Sequence, residues 1–230
     1  MAIEEPAPTD LLESHPETAY FWGRVAGDGE LSGDCVTVRA GDETAANRLA
    51  SIAGAEGIDR RIVDREYAHD TAITRTEEEY TVQVFGSPSD RAGAALGLPI
   101  DGQPGGYRFD VFEDHRRQLL RGLLEGCGTI CFKSSAGTVG ISFVHADRKL
   151  LDRIGSLLAA IPVAAPTGEP ADTSSGGAWF GVADPAVPDL GAWLYEGSDD
   201  SGLFSPSRRR KLRRSLAQAE AVDPVDAEFG

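Results

Sequence analysis

The sequence predicts an α+β fold of two pseudo-symmetric αββαββα repeats, and three observations carry this prediction. A glycine-punctuated segment, "FWGRVAGDG" at 21–29, is echoed by "LRGLLEGCG" at 120–128. After each copy, an alternating strand leads through an aspartate into a helix, in "VTVRAGDETAANRLASIA" (36–53) and "ISFVHADRKLLDRIGSLL" (141–158). Each unit then closes with a further strand, a turn and a helix that begins near a proline.

The first repeat is predicted to run helix, hairpin, helix, hairpin, helix. Asp42 is the expected N-cap of the second helix, because its carboxylate can accept hydrogen bonds from the unpaired backbone amides of the first turn. The segment 58–68 is predicted to form the third strand. The segment 80–99 is predicted to form the fourth strand and then a helix that begins at Pro88.

The second repeat follows the same order with two local differences. Gly122 lies 99 residues after Gly23, whereas the N-cap Asp147 lies 105 residues after Asp42, so the first hairpin should hold about six extra residues. Its third strand is poorly defined, because 162–177 is rich in proline, glycine and serine. The predicted division is a flexible leader (1–16), repeat one (17–98), a linker (99–110), repeat two (111–204), a basic C-terminal helix (205–220) and a frayed tail (221–230).

Composition restricts the class of protein. The chain carries 37 Asp and Glu against 22 Lys and Arg, a formal net charge of −15, and this acid excess with few lysines resembles proteins of salt-loving archaea. Taken alone, an acidic chain argues against a nucleic-acid partner, although molar salt weakens that objection. No apolar run reaches membrane-spanning length and the acidic N-terminus is unlike a signal peptide, so a cytoplasmic protein without a membrane partner is expected.

The glycine positions predict how the two repeats meet. Gly23 and Gly27 share one face of the first helix, and Gly122 and Gly126 share the matching face of its counterpart. Two helices with bare backbone on facing sides can approach closely, which would place their C-terminal ends, at residues 28 and 127, next to each other. A pair of acids there could hold a divalent metal between them.

Both nine-residue segments resemble the motif of the LAGLIDADG homing endonucleases, in the single-chain form with two repeats. Matched letter by letter, the motif falls on Phe21 to Gly29 and on Leu120 to Gly128, and the similarity covers about residues 17–216. This resemblance implies a saddle of two sheets and a monomer that binds double-stranded DNA. The alternative is a pair of glycine-rich core helices in an unrelated α/β fold.

The resemblance also implies a metal site, and here the sequence departs from the family. In the family, the acid before the last glycine of each motif binds Mg²⁺, which activates water for phosphodiester hydrolysis. Asp28 matches this position, but Cys127 stands at the second one, and a thiol is a poor ligand for Mg²⁺. The resemblance implies further a basic residue near the reaction centre, for which Arg65 or Arg75 is the candidate in repeat one.

The family reads DNA with side chains on one face of its sheets. Alternation directs Val36 and Val38 towards the helices, and the candidate DNA-binding residues on the opposite face are Arg39, Arg61, Arg65, Gln83 and Lys133. For each of them, a solvated strand face is an equally good interpretation. Repeat two has no Lys or Arg from 154 to 207, and the basic run 208–214 is expected to be a solvated helix.

Three functions stay open at this point. The first is a DNA-binding protein on this scaffold with cleavage impaired, which could act as a regulator. The second is an active or nicking endonuclease that depends on Mg²⁺. The third is a scaffold that binds a protein partner instead of DNA. The chain starts at Met1 and lacks a terminal His-Asn pair, so a free-standing protein rather than an intein core is expected.

Overall fold

The computed structural model describes residues 7–55, 57–67, 70–86, 88–174 and 176–222, with the backbone alone for 64–67 and 70–77. Repeat one contains the helices α1 (Pro16–Asp28), α2 (Glu43–Ala53) and α3 (Pro88–Leu96) and the strands β1 (Gly29–Ser32), β2 (Cys35–Ala40), β3 (Ile58–Tyr67) and β4 (Asp70–Phe85). The predicted αββαββα order is therefore confirmed for this repeat.

Repeat two has the same order. A 3₁₀ turn at Asp110–His115 precedes α4 (Arg116–Cys127), β5 (Gly128–Lys133), β6 (Thr138–His145), α5 (Arg148–Ala159), β7 (Ala171–Asp172), β8 (Ala178–Gly181) and α6 (Val187–Tyr195). A short helix, α7 (Ser198–Ser201), and the basic helix α8 (Pro206–Ala221) complete the described chain.

Each repeat folds into one four-stranded antiparallel sheet with the same arrangement of strands. The strand orders are β1-β2-β4-β3 and β5-β6-β8-β7, so the two sheets correspond strand by strand. In the first hairpin of repeat two, both strands and the turn are each two residues longer than in repeat one. These six residues are the insertion that the two sequence offsets predicted.

Local signals in the sequence set the ends of the helices. The Asp42 side chain accepts from the Ala45 amide at the start of α2, and the Asp147 side chain accepts from the Lys149 amide at the start of α5. Both predicted N-caps are thus confirmed, and α3 begins at Pro88 as expected. Strand β7 is only two residues long, against ten for β3, because the prolines around it cannot donate to a sheet.

The core lies between the sheets and the helices that cover one side of each. Val36 and Val38 on β2 are fully buried, as the alternation predicted, and Val82 on β4 packs on the same side. Helix α1 buries Tyr20, Phe21 and Trp22 completely. No helix in the described part of the chain has the length and apolarity that a membrane crossing needs.

The segments outside the repeats are more closely packed than a free leader and linker would be. The indole of Trp22 donates to the Leu11 carbonyl at 2.6 Å, so residues 7–15 of the expected flexible leader lie against repeat one. In the expected linker, Tyr107 and Phe109 are buried. Residues 1–6 and 223–230, parts of the predicted leader and tail, lie outside the described residues.

Candidate nucleic-acid interface

The two glycine-lined helices meet at backbone distance. A Cβ built on Gly27 would lie 2.9 Å from the Cys127 nitrogen and 3.0 Å from the Gly126 Cα, and one on Gly122 would lie 3.0 Å from the Gly23 Cα. Ordinary contacts between carbon atoms are about 3.5–4.0 Å, so no residue larger than glycine fits here without moving a helix. The structure therefore brings the ends of α1 and α4 together, as the glycine spacing predicted.

A cleft of about 1100 Å³ opens at these helix ends. Asp28 and Gly126 contribute to its wall, together with Arg39 from strand β2 and residues of α8. Asp28 keeps 49% of its side chain exposed, so its carboxylate is accessible from the cleft. The last residue of α1 can thus meet a ligand that enters this space.

Arg39 lies between two carboxylates. Its Nη1 is 3.8 Å from the Asp28 Oδ1, and its Nη2 is 3.9 Å from the Glu30 Oε2. All three side chains are more than a third exposed, so solvent screens these pairs and they contribute little to stability. Their effect is on the site, because the Arg39 charge is shared between the two acids and a phosphate would have to compete for it.

Cys127 occupies the corresponding place on α4 with different chemistry. Its Sγ donates to the Leu123 carbonyl at 3.4 Å, inside its own helix. Burial, assisted by the nearby negative charge of Asp28, raises the pKa of the Cys127 thiol to about 12. The thiol therefore stays protonated at neutral pH, and only the thiolate binds metals well.

The two halves of the centre differ in how they suit a divalent metal. Mg²⁺ prefers hard oxygen ligands and is commonly held by one or two carboxylates together with substrate phosphates and water. The Asp28 carboxylate, with Glu30 nearby, fits that pattern, whereas the neutral Cys127 thiol does not. Among the described residues, no group of three or more His, Cys, Asp or Glu could hold a metal without further ligands.

The candidate DNA-binding residues of repeat one share one face of the first sheet. Arg39 is opposite Thr81, Thr81 is opposite Asp59, and Arg61 is opposite Glu79 in the antiparallel registers. Gln83 is exposed on the same face, and Arg61 is exposed but hydrogen-bonded to the Asp59 carboxylate at 2.9 Å. The side chains of Arg65 and Arg75 lie outside the described residues.

The corresponding face of the second sheet offers little positive charge. The Lys133 ammonium contacts the Asp184 carboxylate at 2.6 Å, and this hydrogen bond lowers the pKa of Asp184. The charge of Lys133, a candidate DNA-binding residue, is thus neutralised by Asp184. At the other end of β6, six residues beyond the partner of Lys133, the exposed apolar side chains of Val144 and Trp179 pair across β6 and β8.

A buried polar cluster joins the repeats behind the helix ends, and sequence reasoning did not find it. The Glu125 Oε2 accepts from the Tyr20 hydroxyl at 2.7 Å and from the Ser205 amide at 2.9 Å, and it is 4.0 Å from the Arg24 Nη1. Burial is the main cause that raises the pKa of Glu125. Glu125 is committed to this cluster and does not replace the acid missing at Cys127.

Sequence signals for this cluster exist in retrospect. Glu125 stands where repeat one has Ala26, and Arg121, one turn earlier, stands where repeat one has Trp22. Arg121 is 1% exposed and donates to the carbonyls of Leu194, Glu196 and Leu203, which ties α4 to the last turn of α6 and to the chain that follows it. Where the second repeat has a charged residue and the first repeat has an apolar one at the same position of the central helix, the two repeats differ in their contacts.

Helix α8 is not a purely solvated helix, and that expectation is wrong for its first turns. The Arg208 Nη1 donates to the Gly128 carbonyl at 3.2 Å, next to Cys127, and Arg209 and Leu212 are buried. The Ser207 hydroxyl donates to the Asp42 carboxylate of repeat one at 2.9 Å. The helix therefore begins at the centre of the molecule, in contact with both repeats.

Two sheets related strand by strand, joined by glycine-lined helices that end at paired positions beside a cleft, define the LAGLIDADG homing-endonuclease fold. The comparison of sequences agrees: the family described as "Putative archaeal homing endonuclease" matches residues 2–222. The chain belongs to this LAGLIDADG family.

Solved structures show the same fold at low sequence identity. The homing endonuclease I-WcaI bound to its DNA recognition sequence is similar with a TM-score of 0.58, at 9% identity over 87% of each chain. Full-length DUF199/WhiA from Thermatoga maritima is similar with a TM-score of 0.51, at 11% identity over 97% of this chain and 66% of that one. The chain thus spans slightly less than two thirds of that relative. No curated protein matches the sequence significantly.

Proposed function

We propose that this protein binds double-stranded DNA in the cleft at the helix ends and that its ability to cut both strands is impaired. The observation that carries the proposal is the unequal pair at the centre, an accessible carboxylate on Asp28 and a half-buried, neutral thiol on Cys127. Cleavage of two strands by this scaffold needs a metal ligand for each strand, and only one half of the centre offers one.

Binding to DNA is supported by the fold and by the residues at the cleft. The structurally similar I-WcaI is bound to its DNA recognition sequence, and the first sheet here presents Arg39, Arg61 and Gln83 on one face. Phosphates would be contacted by the basic side chains and base edges by the polar ones. We propose that the protein acts as a monomer, since one chain supplies both repeats.

Nicking of one strand is a second candidate, and the accessible Asp28 favours it. Together with phosphate oxygens and water, Asp28 would hold one Mg²⁺, while Glu30 would add negative charge beside it. A protein that binds one DNA site without cutting both strands could also act as a regulator of the genes nearby.

The test begins with selection of bound fragments from a genomic library, followed by fluorescence anisotropy on the selected duplex. Binding should be measured over a range of KCl concentrations, with EDTA and with Mg²⁺, because the chain is strongly acidic. We expect the protein to bind the duplex in the presence of EDTA as well as in the presence of Mg²⁺. Failure to enrich any duplex at any salt concentration would contradict DNA binding and would favour a protein partner.

Cleavage is then measured on a supercoiled plasmid that carries the selected fragment. The wild type should give no linear product with Mg²⁺ or Mn²⁺, and linear product would contradict the proposal. Nicked circles that disappear in Asp28→Asn would establish the second candidate. Cys127→Asp, compared with Cys127→Ser, tests whether the missing carboxylate alone limits cutting of both strands.

A further inference from the structure

Helix α8 concentrates the positive charge of an otherwise acidic chain. Its basic residues are Arg208, Arg209, Arg210, Lys211, Arg213 and Arg214, and no acid follows them before Glu220. Arg209 is used internally, because its guanidinium pairs with the Asp199 carboxylate and lies 4.8 Å over the ring of Phe204. The other cations need a separate explanation.

The helix is held along the second sheet by contacts at both ends. At its start, the Ser205 amide donates to Glu125 and Arg208 donates to the Gly128 carbonyl, where strand β5 begins. At its end, Val222 lies against Gly137 in the turn that joins β5 to β6. Helix α8 therefore runs from the molecular centre along strand β5, which is an edge strand of its sheet.

Because α8 follows this path along β5, several of its cationic side chains line the cleft. Arg208, Arg210, Lys211 and Arg214 line the same cleft as Asp28 and Arg39. Arg210, Lys211 and Arg214 are exposed, and no carboxylate in the described part of the chain forms an ion pair with any of them. By contrast, Lys133 on the neighbouring sheet is neutralised by Asp184.

We infer that α8 is the principal phosphate-binding element of this protein. It would bind phosphate in repeat two, where the face of the second sheet offers little positive charge. Three exposed cations on one helical face line the cleft that Asp28 also lines, and their fixed positive charge suits a duplex backbone. The inference rests on the proposed function and adds to it the residues that contact phosphate. The DNA would then be held by a sheet in one half and by a helix in the other.

Arg214 and Arg213 provide a matched pair for the test. They are adjacent on α8 and both are exposed. Arg214 lines the cleft at the helix ends, whereas Arg213 lines a separate groove with Trp193 and Leu216. Each is replaced by Gln, which removes the same charge and has a helix propensity close to that of Arg. Thermal unfolding of both variants verifies that the fold is retained.

The measured quantity is the slope of log Kd against log KCl concentration for the selected duplex. Each phosphate contact contributes about 0.9 to that slope, so Arg214→Gln should lower it by about 0.9 and Arg213→Gln should leave it unchanged. The triple variant Arg210→Gln, Lys211→Gln, Arg214→Gln should lower the slope by about 2.7 if each cation meets one phosphate.

The outcomes separate this inference from the proposed function. If the wild type binds the duplex and the triple variant has the slope of Arg213→Gln, the inference is wrong and the proposed function stands. If the wild type binds no duplex at any salt concentration, both are wrong. A lower slope in the triple variant, with unchanged thermal unfolding, establishes the role of α8.

Discussion

Replacing Gly122 with alanine should force apart the two helices on which the whole arrangement depends. A Cβ at this position would meet the Tyr20 carbonyl oxygen and lie 2.9 Å from the Arg24 nitrogen and 3.0 Å from the Gly23 Cα. All three are backbone atoms of α1, so no side chain can rotate away to make room. Restoring ordinary contact needs a separation of at least about 0.5 Å along the interface.

Two opposing effects set the change in the free energy of unfolding of Gly122→Ala. Alanine is favoured over glycine inside a helix by about 1 kcal/mol. Overpacking of a close interface costs about 1–3 kcal/mol, and the rigid neighbours place Gly122→Ala near the upper end. The net result should be a loss of about 2 kcal/mol in the free energy of unfolding, which for a chain of this size lowers Tm by about 4–8 °C.

Gly155 supplies the control for that measurement. It lies inside helix α5, and a Cβ built there meets nothing within 4 Å. Gly155→Ala should therefore stabilise the protein by up to about 1 kcal/mol through helix propensity alone. Urea unfolding compares the two variants with the wild type. A Gly122→Ala variant as stable as Gly155→Ala would refute the reasoning, because the helices could not then be in backbone contact.

Glu125 and Cys127 are titratable groups at the same centre, and the state of each can be measured. Because burial raises the folded-state pKa of Glu125, folding favours its protonated form, so the stability of the wild type should fall relative to Glu125→Gln as pH rises above about 4.3. Urea unfolding across pH measures this difference, and parallel profiles would contradict it. With a pKa of about 12, Cys127 has a thiolate fraction of only about one in ten thousand at pH 8, and Cys35 is buried, so exposed Cys131 should be the one fast-reacting thiol. A chromogenic disulfide reagent should lose its fast phase with Cys131→Ser, and a fast phase that persists would show that another thiol is accessible.

The sequence was sufficient for those parts of the fold that local rules determine. The glycine spacing, the N-caps Asp42 and Asp147 and the alternation around Val36 and Val38 each depend on neighbours within a few residues, and the structure agrees with all of them. The duplication added a long-range constraint, because a pattern that appears twice predicts two equivalent units that meet along equivalent helices.

The parts that sequence reasoning missed depend on side-chain contacts between distant segments. Lys133 was a candidate base contact, but its partner Asp184 lies 51 residues further on and reaches it only through the fold. The position of α8 beside the cleft follows from contacts of Ser205 and Arg208 with the centre, which no periodicity reveals. These contacts break the symmetry of the two repeats, so an argument from repetition cannot predict them.

The number of divalent ions that the centre can hold tests the unequal roles of Asp28 and Cys127 most directly. We would measure Mn²⁺ bound to the complex with the selected duplex by electron paramagnetic resonance, for the wild type, Asp28→Asn and Cys127→Asp. We expect Asp28→Asn to bind one Mn²⁺ fewer than the wild type and Cys127→Asp to bind one more, since each carboxylate would supply one half-site. Equal numbers of bound Mn²⁺ in the wild type and Asp28→Asn would contradict this expectation.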